Sequence, residues 1–167
     1  MSLSASKGEA LKPTFRGCTN LGGAELLDKM ESAIPQCVKT VTDLLNAEPM
    51  EPGTYECVCT PEVTGMIVHE AFGHGVEMDM FVKDRALAQS YIGKQVASPL
   101  VTMHDGCAQR EVATYFFDDE GTLSHDTVII DKGILKAGIS DAQSAMFLGT
   151  VPTGNGRRES YERKAYT

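Results

Sequence analysis

The first pattern along this chain of 167 residues is a set of apolar positions at helical spacing between residues 22 and 48. Steps of three and four residues would bring these side chains to one helix face. They are Leu26, Leu27, Met30, Ile34, Val38, Val41, Leu44 and Leu45. Pro35 lies inside the pattern and lacks the N–H that a helix interior needs, so we expect a kink or two short helices. Residues 1–21 are mostly small or polar, and we predict a flexible segment there.

After a loop at Pro49 and Pro52, the pattern changes to short runs typical of strands. Alternating or apolar residues predict strands over 54–60, 96–103, 111–117, 126–130 and 134–139. The last two flank Asp131-Lys132-Gly133, which is typical of a hairpin turn. Residues 141–148 predict a short helix with Asp141 at its N-terminus.

These elements together predict an α+β fold. We expect a twisted, mostly antiparallel sheet, formed by the strands after residue 54, with one helix packed on it. Pro61 suits the first turn of that helix, which would continue through Met66 and Val68 into His69.

The composition of the chain argues against nucleic acids and membranes as binding partners. The chain has 15 basic and 23 acidic residues and a net charge of -8, so we expect no direct binding to nucleic acid. No apolar run approaches the length of a membrane span, and we expect no membrane association. The five cysteines are odd in number and scattered, which does not fit a disulfide framework. Together with the lack of a signal-peptide pattern, they favour a cytoplasmic location.

The candidate chemistry lies in His69-Glu70-Ala71-Phe72-Gly73-His74. Neutral imidazoles bind zinc, zinc lowers the pKa of a bound water, and a neighbouring carboxylate can accept the proton. This pattern predicts His69 and His74 as metal ligands and Glu70 as the general base. The alternative interpretation is a helix end with one packed and one exposed histidine.

The spacing of the two histidines makes a structural prediction. Residues five apart lie roughly 140° apart around a regular α-helix, so both rings could not reach one ion. A π-type bulge or a bend would bring them together, and Gly73 marks the place where such a distortion would cost least. The motif therefore predicts a distorted helix.

Two histidines do not complete a catalytic zinc site, which normally has three protein ligands. Candidates for the third ligand are Glu77, His104, Cys107 and His125. Glu77 lies one turn after His74 and could approach the same ion, or it could orient His74 from behind. His104 and His125 lie at the ends of predicted strands and could equally be surface residues.

The wider sequence resembles the TldD/PmbA family, once called modulators of DNA gyrase. The stretch from Gly65 to Glu77 is similar to the zinc motif of that family, and further blocks follow in the order of the family. These blocks are Val96-Ala97-Ser98-Pro99-Leu100, Asp105-Gly106, Asp118-Asp119-Glu120-Gly121, Gly133-Ile134-Leu135-Lys136 and Pro152-Thr153-Gly154-Asn155-Gly156-Arg157-Arg158-Glu159-Ser160.

The resemblance implies a cytoplasmic zinc metallopeptidase of the catalytic, TldD-like branch, which hydrolyses peptides or unfolded protein segments with water activated by zinc and Glu70. It also implies that the substrate binds as an extended strand beside a sheet. Subunits would pair as homodimers or with a TldE/PmbA-type partner. The alternative is a non-catalytic peptide-binding or partner subunit that uses a sheet edge.

The resemblance further implies that the third zinc ligand is a cysteine downstream of the glycine-arginine block, where none of the five cysteines of this chain stands. We therefore expect the chain to be a piece of a larger two-domain protein. Residues 22–48 would be the end of a mostly absent N-terminal domain, and residues 54–167 part of the metallopeptidase core. Asn155, Arg157 and Arg158 are candidates for substrate contact. The arginines could clamp a peptide carboxylate or carbonyl, or simply form a solvated turn.

Overall fold

The structure is a computed structural model, and it describes residues 1–19, 21–106 and 113–167. Within these ranges the chain forms two compact units, Met1–Cys57 and Val58–Thr167. Cys107 and the first residues of the predicted strand over 111–117 lie outside the described residues. None of the described helices combines the length and the apolar character that crossing a bilayer requires.

The first unit begins with a β-hairpin. Strand β1 (Ser2–Lys7) pairs antiparallel with strand β2 (Ala10–Phe15). Where we expected a flexible segment over residues 1–21, the structure therefore has paired strands. The reason is a weak alternation that the small residues conceal: Leu3 and Ala5 are half-buried, whereas their neighbours on β1 are exposed.

Two helices complete this unit, α1 (Leu26–Ser32) and α2 (Ile34–Asn46). Pro35 lies in the first turn of α2, where a missing N–H costs nothing, so the predicted break into two helices is confirmed. Helix α2 packs against both strands of the hairpin and buries Cys37 and Val41.

The sheet of the second unit has three short antiparallel strands in the order β3-β4-β5. They are β3 (Met103–Asp105), β4 (Thr127–Asp131) and β5 (Ile134–Leu135). Lys132 and Gly133 form the turn between β4 and β5, and both have the positive φ that a two-residue hairpin turn requires. The predicted hairpin is confirmed.

The hydrophobic core of this unit is formed by Val76, Ile129, Ile130 and Leu135. Three of these side chains come from β4 and β5, and Val76 comes from the segment that follows the two histidines. Phe72 of the motif packs against the same cluster. The predicted α+β fold with an antiparallel sheet is confirmed, and the motif segment contacts the core through Phe72 and Val76.

The predicted strand over 96–103 is wrong except at its last residue, which begins β3. Residues 96–102 instead wrap around the turn between β4 and β5. The Val96 N–H donates to the Gly133 carbonyl, and the Gly133 N–H donates to the Val101 carbonyl. The apolar residues of this segment therefore reflect packing around a turn rather than strand pairing.

Within the described ranges, two more predicted strands are absent, and a third is short. Residues 54–60 form no strand and are exposed, so their alternation has no sheet to join. Residues 113–117 contribute one bridge, between Phe117 and Leu123. The predicted strand over 134–139 is confirmed only for β5, because the backbone turns away to pair with the motif segment.

Helices α3 (Pro61–Val68) and α4 (Met78–Val82) are followed by α5 (Ala142–Leu148), which confirms the helix predicted over 141–148, with Asp141 as its N-cap. The Asp141 carboxylate accepts the Ser144 N–H, and the Ser144 hydroxyl accepts the Asp141 N–H. This reciprocal arrangement is a capping box, and both side chains are buried.

The glycine-arginine segment after α5 is attached to an earlier turn by the carboxylate of Asp118, which is 1 % exposed. Oδ1 of Asp118 accepts the N–H groups of Glu120 and Thr122 at 3.0 and 2.8 Å, and Oδ2 accepts the Gly156 N–H at 2.9 Å. A buried carboxylate is tolerated only with such donors, so the three bonds fix the place of Gly156 in the fold.

Gly133→Ala should destabilise the second unit more than the matched change Gly121→Ala. The two glycines have φ values of 84° and 83°, so both substitutions carry a similar backbone strain. At Gly133 the added Cβ would also lie 2.4 Å from the Ala97 carbonyl oxygen, whereas at Gly121 nothing lies within 4 Å. We expect an additional loss of about 1–3 kcal/mol in the free energy of unfolding, measured by urea denaturation with circular dichroism. Equal losses would contradict this close approach.

Candidate metal centre

The two histidines lie at the distorted end of one helix. Helix α3 (Pro61–Val68) begins at its proline and continues into a π-helical turn over His69–Gly73, which is followed by a 3-10 turn over His74–Val76. The His74 N–H donates to the His69 carbonyl. Such a bond between residues five apart gives the turn one residue more than an α-helical turn, so the two histidines lie on the same side. The predicted distortion is confirmed.

The glycine inside the motif is not what makes the distortion possible. Gly73 has φ −55° and ψ −52°, an ordinary helical backbone that any residue adopts. A Cβ added there would lie 3.8 Å from its nearest neighbour, the Nδ1 of His69, which is a normal contact distance. The expectation that the missing side chain of Gly73 eases the bulge is therefore not supported.

The position of the distortion follows from the contacts of the next residues. Val76 is 1 % exposed, and its carbonyl accepts the Ile139 N–H at 3.0 Å. The Met78 N–H donates back to the Ile139 carbonyl at 2.8 Å. A Cβ on Gly138 would lie 2.4 Å from the Val76 carbonyl oxygen, so this close approach needs a glycine. The chain is thus fixed to the core two residues after His74.

The turn brings His69, Glu70 and His74 together, with one ligand atom from each lying within 4.8 Å of the others. The two imidazole rings have centroids 4.5 Å apart and an angle of 70° between their planes. Zinc binds imidazole nitrogen at about 2.0–2.1 Å, so two such nitrogens stand roughly 3.3 Å apart in a tetrahedral site. Because all three residues are exposed, their side chains have room to rotate toward that separation.

Glu77 contacts the side of His74 that faces away from this cluster. Its Oε1 lies 2.7 Å from Nδ1 of His74, while Nε2 of His74 lies 4.0 Å from the Glu70 carboxylate. The hydrogen bond to Glu77 and then its charge raise the pKa of His74, burial offsets part of the rise, and the charge of Glu70 adds a smaller increase. Because Nδ1 is engaged, Nε2 is the nitrogen left for a metal. The geometry favours Glu77 as the partner that orients His74.

The other candidates for the third ligand lie elsewhere or outside the described residues. Nδ1 of His104 lies 2.8 Å from the Asp126 carboxylate, and Nδ1 of His125 lies 3.4 Å from a backbone carbonyl. Neither joins the cluster of the motif. In the part of the chain that the structure describes, the motif is the one group of three such side chains close enough to hold an ion.

Asn155, Arg157 and Arg158 belong to a second cluster. The Asn155 amide donates to the Asp105 carboxylate at 2.7 Å, and the Arg157 guanidinium lies over the ring of Tyr115. Arg158 contributes its N–H, which donates to the Asp119 carboxylate at 2.8 Å, while its side chain is exposed. Among the described contacts of these three residues, none is with the histidines of the motif.

Two residues that hold this second cluster were not anticipated. Asp118 belongs to a turn in the sequence pattern, and nothing in that pattern indicates that its side chain is buried. Tyr115 belongs to a predicted strand, yet its hydroxyl donates to the Gly154 carbonyl. Both contacts join residues about forty positions apart, which local patterns do not encode.

The chain is similar in sequence to known metallopeptidases. A family model described as the PmbA/TldA metallopeptidase C-terminal domain matches residues 52–167. A metalloprotease of Methanothermobacter thermautotrophicus is 30% identical over 155 residues, which cover 92% of this chain and 34% of that protein. A zinc metalloprotease TldD homolog of Saccharolobus solfataricus is 30% identical over 125 residues, which cover 74% of this chain and 28% of that protein.

The fold is similar to that of a solved relative. The crystal structure of TldE from Thermococcus kodakarensis matches 56% of this chain and 22% of its own, with 25% identity and a TM-score of 0.52. The chain spans about a third of the length of the first relative and less of the others. Since the family model covers more than half of the chain and the first relative matches nearly all of it, this chain belongs to the PmbA/TldD family of metallopeptidases.

Proposed function

We propose that this chain carries the zinc-binding and proton-transferring residues of a peptidase that hydrolyses peptides or unfolded protein segments. The observation that carries the proposal is the convergence of His69, Glu70 and His74 within 4.8 Å on one exposed face. Membership of a metallopeptidase family supports a peptidase role, and the name of the Saccharolobus relative supports zinc as the metal.

The chemistry of the side chains fits zinc. Two imidazoles and a neighbouring carboxylate are typical of hydrolytic zinc sites, and the exposure of all three leaves the ion an open path. Zinc bound there supplies a Lewis acid for the peptide carbonyl and a water of lowered pKa. Glu70 stands at the edge of the ligand set, where its carboxylate can accept a proton from water and pass it to the leaving amine. Glu77 holds the His74 ring through Nδ1.

The third ligand is proposed to lie outside the described residues. The resemblance to the family implies a cysteine downstream of the glycine-arginine segment, and the chain spans a third or so of the first relative. Hydrolysis therefore belongs, in this proposal, to the assembled protein rather than to these residues alone.

We propose that the peptide lies along the edge formed by β3. The opposite edge of the sheet is covered, because the Gly93 N–H donates to the Leu135 carbonyl and the Leu135 N–H donates to the Lys94 carbonyl. Strand β3 forms the other edge of the sheet, and the bonds from Gly93 and Lys94 do not reach it. An extended peptide can add to such an edge by backbone hydrogen bonds.

The proposal includes pairing with a second copy or with a TldE/PmbA-type subunit, and the similarity of fold to TldE supports it. It also includes a reducing, cytoplasmic location, supported by the free thiols of the four cysteines in the described ranges.

A non-catalytic partner subunit is the second candidate function. It is favoured by the ligand set of the described residues, which holds two histidines where a catalytic site needs three ligands.

His69→Ala and His74→Ala should each weaken zinc binding by at least about 100-fold, because each removes a ligand and even an outer partner contributes about 10–100-fold. Zinc affinity would be measured by competition with a chromogenic chelator. His125→Ala is the matched control, since its ring contacts a backbone carbonyl away from the motif. A loss as large in this control as in the motif variants would contradict the ligand assignment.

Glu70→Gln should lower peptide hydrolysis by about 10²–10⁴-fold and leave the zinc content unchanged, because it removes the proton acceptor but no histidine ligand. Turnover is to be measured in the assembled protein on an unstructured peptide, with metal content by atomic absorption. Glu56→Gln, in the exposed segment before α3, is the control. Unchanged turnover in Glu70→Gln with zinc retained would contradict the assignment of Glu70 as the general base.

Glu77→Gln should weaken zinc binding by about 10–100-fold, less than the loss of a histidine. The amide keeps the size of the side chain but loses the charge that holds Nδ1 of His74 at 2.7 Å. The same chelator competition measures the effect. If Glu77→Gln matched His74→Ala in affinity, Glu77 would be a direct ligand rather than an orienting partner.

A further inference from the structure

Arg157 is held in place at both its backbone and its side chain. Its N–H donates to the Tyr166 carbonyl at 2.9 Å, and its carbonyl accepts the Tyr166 N–H at 3.0 Å. The guanidinium carbon lies 3.6 Å from the centre of the Tyr115 ring. That ring is itself tied to the same segment through the bond of its hydroxyl to the Gly154 carbonyl. The cation is therefore pre-organised before any ligand arrives.

The guanidinium has donors to spare. Of its five N–H groups, one makes a long bond of 3.4 Å from Nη1 to the Gly156 carbonyl. Among the described residues, no carboxylate forms an ion pair with Arg157, although Arg163 does pair with Glu159. A half-buried cation with unused donors is suited to an anionic ligand.

A small cavity lies in front of this cation. It has a volume of about 200 Å³ and is lined by Asp105, Gly106, Ala113, Tyr115, Asn155 and Arg157. The Asn155 amide is fixed on both sides, since its oxygen accepts the Thr153 hydroxyl and its nitrogen donates to Asp105, both at 2.7 Å. Pockets for drug-sized ligands are larger, about 300–1,000 Å³, so the cavity suits one amino-acid residue.

We propose that Arg157, Asn155 and Asp105 form a site for the C-terminal residue of a peptide. The guanidinium and the second N–H of the Asn155 amide bind the terminal carboxylate, and the oxygen of Asp105 that Asn155 does not use accepts the backbone N–H of the same residue. The proposal rests on the proposed peptidase function for the identity of the ligand as a peptide.

The charges in the cavity favour this ligand over other anions. One arginine and one aspartate line the cavity together, so it is close to neutral and matches a group that carries an anion beside a donor. A phosphate would place two negative charges beside Asp105, on a chain whose net charge is already -8. The planar fork of arginine matches the two oxygens of a carboxylate.

The test compares three peptides on the metal-free chain, where hydrolysis plays no part. Acetyl-Ala-Ala-Ala with a free C-terminus should bind at least about tenfold tighter than its C-terminal amide, as expected for a charge-assisted bond. Acetyl-Ala-Asp-Ala amide, which carries only a side-chain carboxylate, should bind as weakly as the amide. Binding is followed by NMR shifts of residues 155–157. Since no metal is present, failure of the zinc proposal would leave this result unaffected.

Arg157→Gln should abolish the preference for the free acid, and Arg157→Lys should lose most of it while keeping the charge. Arg158→Gln is the matched control, because its exposed side chain lies on the neighbouring residue. If Arg157→Gln does not fold, the lysine variant and the comparison of the three peptides still test whether the site binds a terminal carboxylate. Equal binding of acid and amide, binding of the aspartate peptide as tight as that of the acid, or no shift with any of them would overturn the proposal.

Discussion

The metal centre depends on one fixed point, where the chain just after His74 is attached to the core. Val76 packs against side chains of β4 and β5, and its backbone pairs with Ile139. His69 and His74 are five residues apart, and a regular α-helix would not place them on the same side. The π-helical turn provides this placement, with the His74 N–H bonded to the His69 carbonyl and an ordinary helical backbone at Gly73. A packing contact thus lies directly after the two exposed histidines, whose rings contact each other.

In the second cluster, that of Asn155, Arg157 and Arg158, a buried polar group rather than an apolar one fixes the neighbouring segment. The buried carboxylate of Asp118 accepts three backbone N–H groups and so joins its own turn to Gly156. Arg157 follows directly and is stacked on Tyr115, which bonds back to Gly154. Each group restrains the next, so the arginine does not have to give up much side-chain freedom on binding a ligand. In the metal centre the two histidines are exposed and the nearby Val76 is buried, whereas in the second cluster Arg157 and Asn155 are half-buried and Asp118 is buried.

Exposure of the histidine face agrees with the size of the chain relative to its family. An isolated pair of histidines on a convex helix end holds an ion weakly, because water competes and the coordination is incomplete. The matched part of this chain covers only 34% of the Methanothermobacter relative. Much of the second unit is also apolar and open, for example Met66 and Ile67 on α3. The exposure of this face supports the proposal that residues outside the described ranges complete the site.

Several features could be read from residues close in the chain, because helix geometry and turn chemistry act over a few positions. The step from His69 to His74 required a distorted helix, Pro35 required a break, and Asp141 marked a helix start. The strand at 96–102 could not be rejected in this way, since its apolar residues pack around a turn contributed by Gly133. The bond from Asn155 to Asp105 spans fifty positions, and a pattern of residue types does not say which donor meets which acceptor. Such pairs form only when packing brings distant segments together, and for that reason the arginine cavity became visible in the folded chain alone.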